Sequence, residues 1–167
     1  MLVRSLVSRL VAGLYGPDRL LKTQIVKFLY LIDLEWVKAT GQPLTGLRWF
    51  FHNCGPWDGA IEAVIYGMSV RGEIETEECV AMDGHAYVLC GEGRPQHIRL
   101  PAAAMVADSV LQTYRQYPLR SLLDEVVYQT PPMRAARRGD VLNLLLAGPH
   151  EEDLSFLRGG SSWGSDG

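Results

Sequence analysis

The chain has 167 residues, 18.6 kDa and 47% hydrophobic residues, enough for one domain with a real core and too apolar for a disordered segment. A formal charge of −3 and a pI of about 5.8 argue mildly against a protein that holds nucleic acid by neutralising phosphates, and leave protein partners open. Three scattered cysteines, Cys54, Cys79 and Cys90, supply neither a disulfide framework nor a paired metal motif, and fit a reducing cytoplasm.

Leu2, Leu6, Val7, Leu10, Val11 and Leu14 recur at helical spacing and predict an amphipathic first helix with Arg4 and Arg9 exposed. The two arginines also interrupt the apolar run, which is too short for a bilayer and lacks the core of a signal peptide. Gly16-Pro17-Asp18 ends this helix and offers Asp18 as the N-cap of a second, Leu20 to Val37. Phe28 to Ile32 is apolar on every side, so this second helix should be central and buried. Lys22, Lys27, Glu35 and Lys38 are read as marking where its ends reach water. Thr40-Gly41-Gln42-Pro43 stops it, with Gly suited to a left-handed C-terminal cap.

Leu47 to His52 reads as a short extended segment and Asn53-Cys54-Gly55-Pro56 as a turn. Asp58 caps a helix to about Arg71, with Ile61, Val64, Ile65 and Met68 on one face and Gly72 closing it. Glu73–Ala81 and Ala86–Cys90 read as strands joined at Asp83-Gly84. Pro101 opens a helix to about Tyr117, with Val106, Val110, Tyr114 and Tyr117 as its stripe. Ser121 caps another, Leu122 to Tyr128, packing through Leu122, Leu123, Val126 and Val127. Thr130-Pro131-Pro132 forces an extended or turn segment. A last helical piece is expected around Asp140 to Leu146, ending at Gly148-Pro149, before a Gly/Ser-rich tail. The expected fold class is therefore α+β and mainly helical: a compact helical bundle with one small antiparallel β-hairpin. Residues 1–157 are expected to form a single domain and 158–167 a disordered tail.

Three segments carry a family resemblance. They are the helix KTQIVKFLYLIDLEW with Asp33, the loop HNCGPWD with Gly55 and Pro56, and LLDEVVYQTPPMRAARRGDVL, in which Tyr128, Thr130, Pro132 and Met133 precede Arg134, Arg137 and Arg138. In order and spacing, over about residues 20 to 146, they resemble the Panacea domain, the family of SocA-like antitoxins and prophage-associated proteins. The resemblance implies an intracellular protein that neutralises a partner toxin, or one that delivers the bound toxin to a protease as an adaptor. Cys54 stands where family members often carry Tyr, a departure that bears on partner choice rather than on fold.

The candidate chemistry is weighed against plainer roles. His52 and Cys54 invite a thiolate or metal reading, but no third group is evident to orient the base. His52, His85, His97, His150 and the three cysteines keep no ligand spacing, so neither metal nor cofactor is implied. Asp33, between Ile32 and Leu34, is costly to bury unpaired, and should accept hydrogen bonds from Thr45, Arg48 or the Gly-Pro turn. Trp57 is either a core plug or an exposed anchor. Arg134, Arg137 and Arg138 form a solvated basic face or a docking patch, with Met133 as an adaptable apolar contact. The expected function is that of a cytoplasmic interaction protein, not an enzyme, that binds a toxin through Trp49, His52, Trp57, Tyr128, Met133, Arg134, Arg137 and Arg138. A thiol-dependent hydrolase and a DNA-binding regulator of its own operon are the competing readings.

Overall fold

A computed structural model of the protein describes residues 2–13, 19–94 and 96–148. The expected Asp18 cap, the Gly148-Pro149 stop, His150 and the 158–167 tail lie outside these residues in whole or in part. The architecture is α+β and mainly helical.

Helix α1 (Leu2–Ala12) buries Leu6, Val7, Leu10 and Val11, as its periodicity predicts. Arg4 and Arg9 are half-buried rather than free, each paired with an acid from another element. Buried Ser8 donates to the carbonyl of Arg94 and accepts from the N–H of Gln96, fixing α1 to that segment.

Helix α2 (Lys22–Thr40) is the axis of the molecule. Every residue from Gln24 to Leu34 is buried. Helices α1 and α4 (Pro101–Tyr114), strands β3 (Gly55–Trp57) and β5 (Ala86–Gly91) and a late 3-10 turn surround it. It starts two residues later than expected, because Leu20–Leu21 form a short strand, β1, beside β5. The Gln24 side chain accepts from the Leu21 N–H at 2.9 Å and so closes the first turn. Gly41, at φ +77°, ends the helix by donating to Val37, as its position predicts.

Where one hairpin is expected, there are two antiparallel sheets among the described residues. Strands β2 (Phe50–His52) and β3 (Gly55–Trp57) pair across a turn at Asn53-Cys54. Pro56 is tolerated because this ribbon has an open edge there. On the other side of β2, residues 139–142 run antiparallel to it through Phe51–Asp140, Gly139–Phe51 and Leu142–Trp49 backbone bonds. This pairing replaces the helix expected at Asp140–Leu146; only Leu144–Ala147 winds, as a 3-10 turn. Strands β4 (Glu75–Val80) and β5 (Ala86–Gly91) form the second sheet, in the order β1-β5-β4.

Asp58 caps α3 (Gly59–Val70) by accepting from the Ala60 N–H at 2.8 Å. Helix α4 (Pro101–Tyr114) buries Ala103, Ala107, Val110 and Leu111. The expected stripe through Val106 and Tyr114 is only half-buried, because α4 meets its neighbours over small residues. Ser121 is not a cap. Helix α5 (Leu119–Ser121) is already running there, and it widens into a π-helical turn, Leu122–Val126, then tightens to a 3-10 turn, Val127–Gln129. Pro131 and Pro132 open the short helix α6 (Pro131–Ala135) after an extended Thr130. Among the described residues, no helix is long and apolar enough to cross a membrane.

Candidate functional site

Three polar side chains on α2 organise one side of the molecule. Lys27, Tyr30 and Asp33 stand three residues apart, on one drifting stripe of the helix. Each is buried, and each holds a different segment.

Lys27 is the first. Its Nζ donates to the carbonyl of Pro56 at 2.9 Å, tying α2 to β3. Only 2% of Lys27 is exposed, which corrects the expectation that it marks a wet end of the helix. Burial lowers its pKa from 10.5 to about 8, with the nearby Cys54 acting in the opposite direction. Gly55 makes this approach possible. It sits at φ +85°, and a Cβ there would lie 3.1 Å from Leu123 Cδ2 and 3.6 Å from Lys27 Cε.

Tyr30 is the second. Thr130 Oγ1 donates to the Val127 carbonyl at 2.7 Å, which leaves the Tyr30 hydroxyl as the donor across the 2.8 Å to Thr130. The Tyr30 ring meets Trp49 edge-on, with centroids 5.5 Å apart. Burial pushes the phenol well above its ordinary pKa.

Asp33 is the third. Fully buried, it accepts four hydrogen bonds: from the N–H groups of Leu44 and Thr45, the Thr45 hydroxyl and the Trp49 indole. The expected partner Thr45 is there. Arg48 instead gives its N–H to Asp58, and the Gly-Pro turn goes to Lys27. Four donors on one carboxylate offset the cost of burying it.

The three resembling segments, far apart in sequence, therefore meet on α2. Phe51 of β2 packs on Tyr128 at 6.0 Å, joining the hairpin to the 119–135 segment directly. The candidate contact residues divide accordingly. Trp49 and Met133 are 1% and 3% exposed, which corrects both from surface contacts to core residues: Asp33 takes the Trp49 indole, and Met133 is on the buried side of α6. Pro132 is buried with Met133. His52, Arg134, Arg137 and Arg138 are exposed, and Trp57 and Tyr128 are half-buried. Trp57 covers Gly59 on one side and meets the His52 ring at 5.3 Å on the other, so it is part plug and part surface.

His52 and Cys54 both lie at the exposed hairpin turn, and no hydrogen bond links them. Two features escape the sequence reading. One is the anchoring role of Lys27 and Tyr30, legible only as polar groups inside a helix apolar on all sides. The other is an exposed apolar strip, Val141, Leu145 and Leu146, hidden within the supposed last helix. No family model, curated protein or solved structure matches the chain.

Proposed function

We propose that this chain is an antitoxin-like interaction protein that binds a partner toxin in the cytoplasm and neutralises it by occlusion, with handover to a protease as a variant of the same role. The observation that carries this reading is the convergence of the three resembling segments on one buried stripe of α2. Lys27 and Asp33 hold backbone and Tyr30 holds the Thr130 hydroxyl, while exposed side chains such as His52, Gln129 and Arg134 lie near those anchor points in the chain. Such an arrangement supplies a stiff docking face whose exposed residues can differ without disturbing the support. A stiff face loses little conformational entropy on binding. A stable heterodimer would bury on the order of 1,600 Å² in total. Nanomolar affinity corresponds to about 12 kcal/mol, ample to silence a toxin by mass action.

The test is co-expression with the neighbouring reading frame, scored for rescue of growth and for co-purification. Rescue with a one-to-one complex is expected. Trp57→Ala and the combined Arg134→Ala/Arg137→Ala/Arg138→Ala variant should each weaken the complex while circular dichroism stays unchanged. A neighbouring product that is harmless alone, or a toxin that neither binds nor is silenced, rejects the reading.

A further inference from the structure

The exposed apolar strip on the 139–148 segment is larger than its residues suggest one by one. Two depressions, of about 320 and 350 Å³, lie side by side and share Val141 and Asn143 as their common wall. The first is lined by Pro43, Leu47 and Leu145, the second by Ala135 and Leu146. Val141, Leu145 and Leu146 are 48%, 59% and 44% exposed, so the groove between α6 and the 43–48 loop presents an apolar floor to solvent.

Its rim is basic. Arg48 lies in the wall of the first depression, with its guanidinium 5.2 Å over the Phe50 ring. Arg134 and Arg137 flank Ala135 and Ala136 in the chain, and Arg138 follows. One acid, Asp140, lines the groove, and its carboxylate already accepts the Arg137 N–H at 2.8 Å. One arginine thus lines the groove and three exposed ones lie within two residues of its Ala135–Ala136 wall along the chain, in a protein whose formal charge is −3. A second copy of the chain fits badly: a two-fold contact through this face would set arginines against arginines. Nucleic acid fits badly too, because an apolar floor gives phosphates nothing and the overall charge repels them.

We propose that this groove is the docking site for an acidic amphipathic helix of a protein partner, its apolar side chains seated in the two depressions and its carboxylates on the arginine rim. The proposal deepens the interaction-protein reading and rests on it, but not on the partner being a toxin.

The test uses the full chain and a short fluorescent synthetic helix with Leu at every third or fourth position and Glu elsewhere. Its controls are the same peptide with Lys for each Glu, and a labelled DNA duplex. Saturable binding of the Glu peptide is expected, weakening with salt. It should be at least about tenfold tighter than the Lys peptide, and lost by about tenfold or more in Leu145→Glu/Leu146→Glu and in Arg134→Glu/Arg137→Glu. Both pairs are exposed, so the variants should keep the native circular dichroism. Equal binding of the two peptides, no saturation at millimolar peptide, or loss-free binding in the variants overturns the proposal. So does competition by the duplex, or a dimer in sedimentation that Leu145→Glu/Leu146→Glu dissolves. The segment after Gly148 carries Glu151-Glu152-Asp153, Leu154 and Phe156-Leu157, which is the same chemistry. If Glu151→Lys/Glu152→Lys/Asp153→Lys tightens the peptide, the occupant is this chain's own segment and the proposal of an external partner fails. Rescue of growth separates the two readings. Peptide binding without rescue removes the antitoxin reading and keeps the groove. Undiminished rescue by both groove variants, with no peptide bound, does the reverse.

Discussion

The two ends of the molecule are fastened by different means. Around the β2–β3 hairpin, the fastenings are buried bonds from one helix: Lys27 to Pro56, Tyr30 to Thr130, and Asp33 to the 44–49 loop. Around α1, α4 and the β4–β5 sheet, they are ion pairs at the periphery. Arg4 reaches Glu73, Arg9 makes a two-pronged contact with Asp108, Arg19 reaches Glu75 and Glu77, and Lys22 reaches Glu62. Ser8 and Gln24 are the buried polar side chains at that end among the described residues. Exposed ion pairs are individually weak and screened by salt. Buried polar bonds are expensive to break but hold a single geometry. The difference teaches that the end with the candidate docking face is built for fixed shape, and the other for adherence.

The largest blow to the buried side should be Asp33→Ala. It strands two N–H groups, a hydroxyl and an indole, and should cost about 3–5 kcal/mol. At roughly 2–4 °C per kcal/mol for a domain of this size, the melting temperature should fall by about 6–20 °C. A fall under about 2 °C by calorimetry would mean that the 44–49 loop holds itself.

Lys27→Met probes the same stripe through pH. Because its pKa is about 8 folded against 10.5 free, the folded chain binds fewer protons than the unfolded chain between those values. Stability from this group therefore rises with pH across that window. The natural chain should gain up to ~3 kcal/mol relative to Lys27→Met between pH 7 and pH 10.5. Comparison with the variant is needed above pH 9, because burial raises the pKa of Cys90 to about 11, and also that of Tyr30. Those groups stay neutral in the fold where the unfolded chain ionises them, so their contribution is lost as pH rises. Parallel urea titrations of the two chains should diverge steadily across the window; curves that stay parallel would show a solvated ammonium.

Tyr30→Phe removes one hydrogen bond and leaves Thr130 bonded to Val127, so about 1 kcal/mol is expected from denaturant midpoints. Smallest is Arg9→Ala, at about 0.2–1 kcal/mol in low salt and nothing measurable in 1 M salt. An Arg9→Ala loss that persists in high salt, or exceeds that of Tyr30→Phe, would reverse the contrast between the two ends.

Much of this was legible in the residues. The central helix follows from Phe28–Ile32, which no amphipathic surface helix could carry, and the caps at Asp58 and Gly41 from their chemistry. Asp33 was readable as a paired carboxylate because an unpaired one between Ile32 and Leu34 would be intolerable. Lys27 was not, because a charge in an apolar run reads as a boundary until its tertiary acceptor is known. Trp49 and Met133 look like surface contacts in the sequence alone because a sequence cannot tell a plug from an anchor. DVLNLLL fits a helix by composition. Its fate was decided by β2, whose free edge offered backbone partners that a local pattern does not contain. Strand β3 was hidden because Gly-Pro argues for a turn, and only an open edge admits it. The helix-facing stripe of α4 was misread because alanines count for little on a hydrophobic scale, yet permit the closest approach.

The π-helical turn at Leu122–Val126 places a constraint of another kind. The Val127 N–H reaches back to both Leu122 and Leu123, so this stretch is wound wider than an ordinary helix. Were the same residues to tighten to common α geometry, everything after them would turn by about 100°. Tyr128 would swing off Phe51 and Thr130 away from Tyr30. The wide turn takes up one residue more than an α turn would hold, and Tyr128 and Thr130 keep their places only while it stays wide.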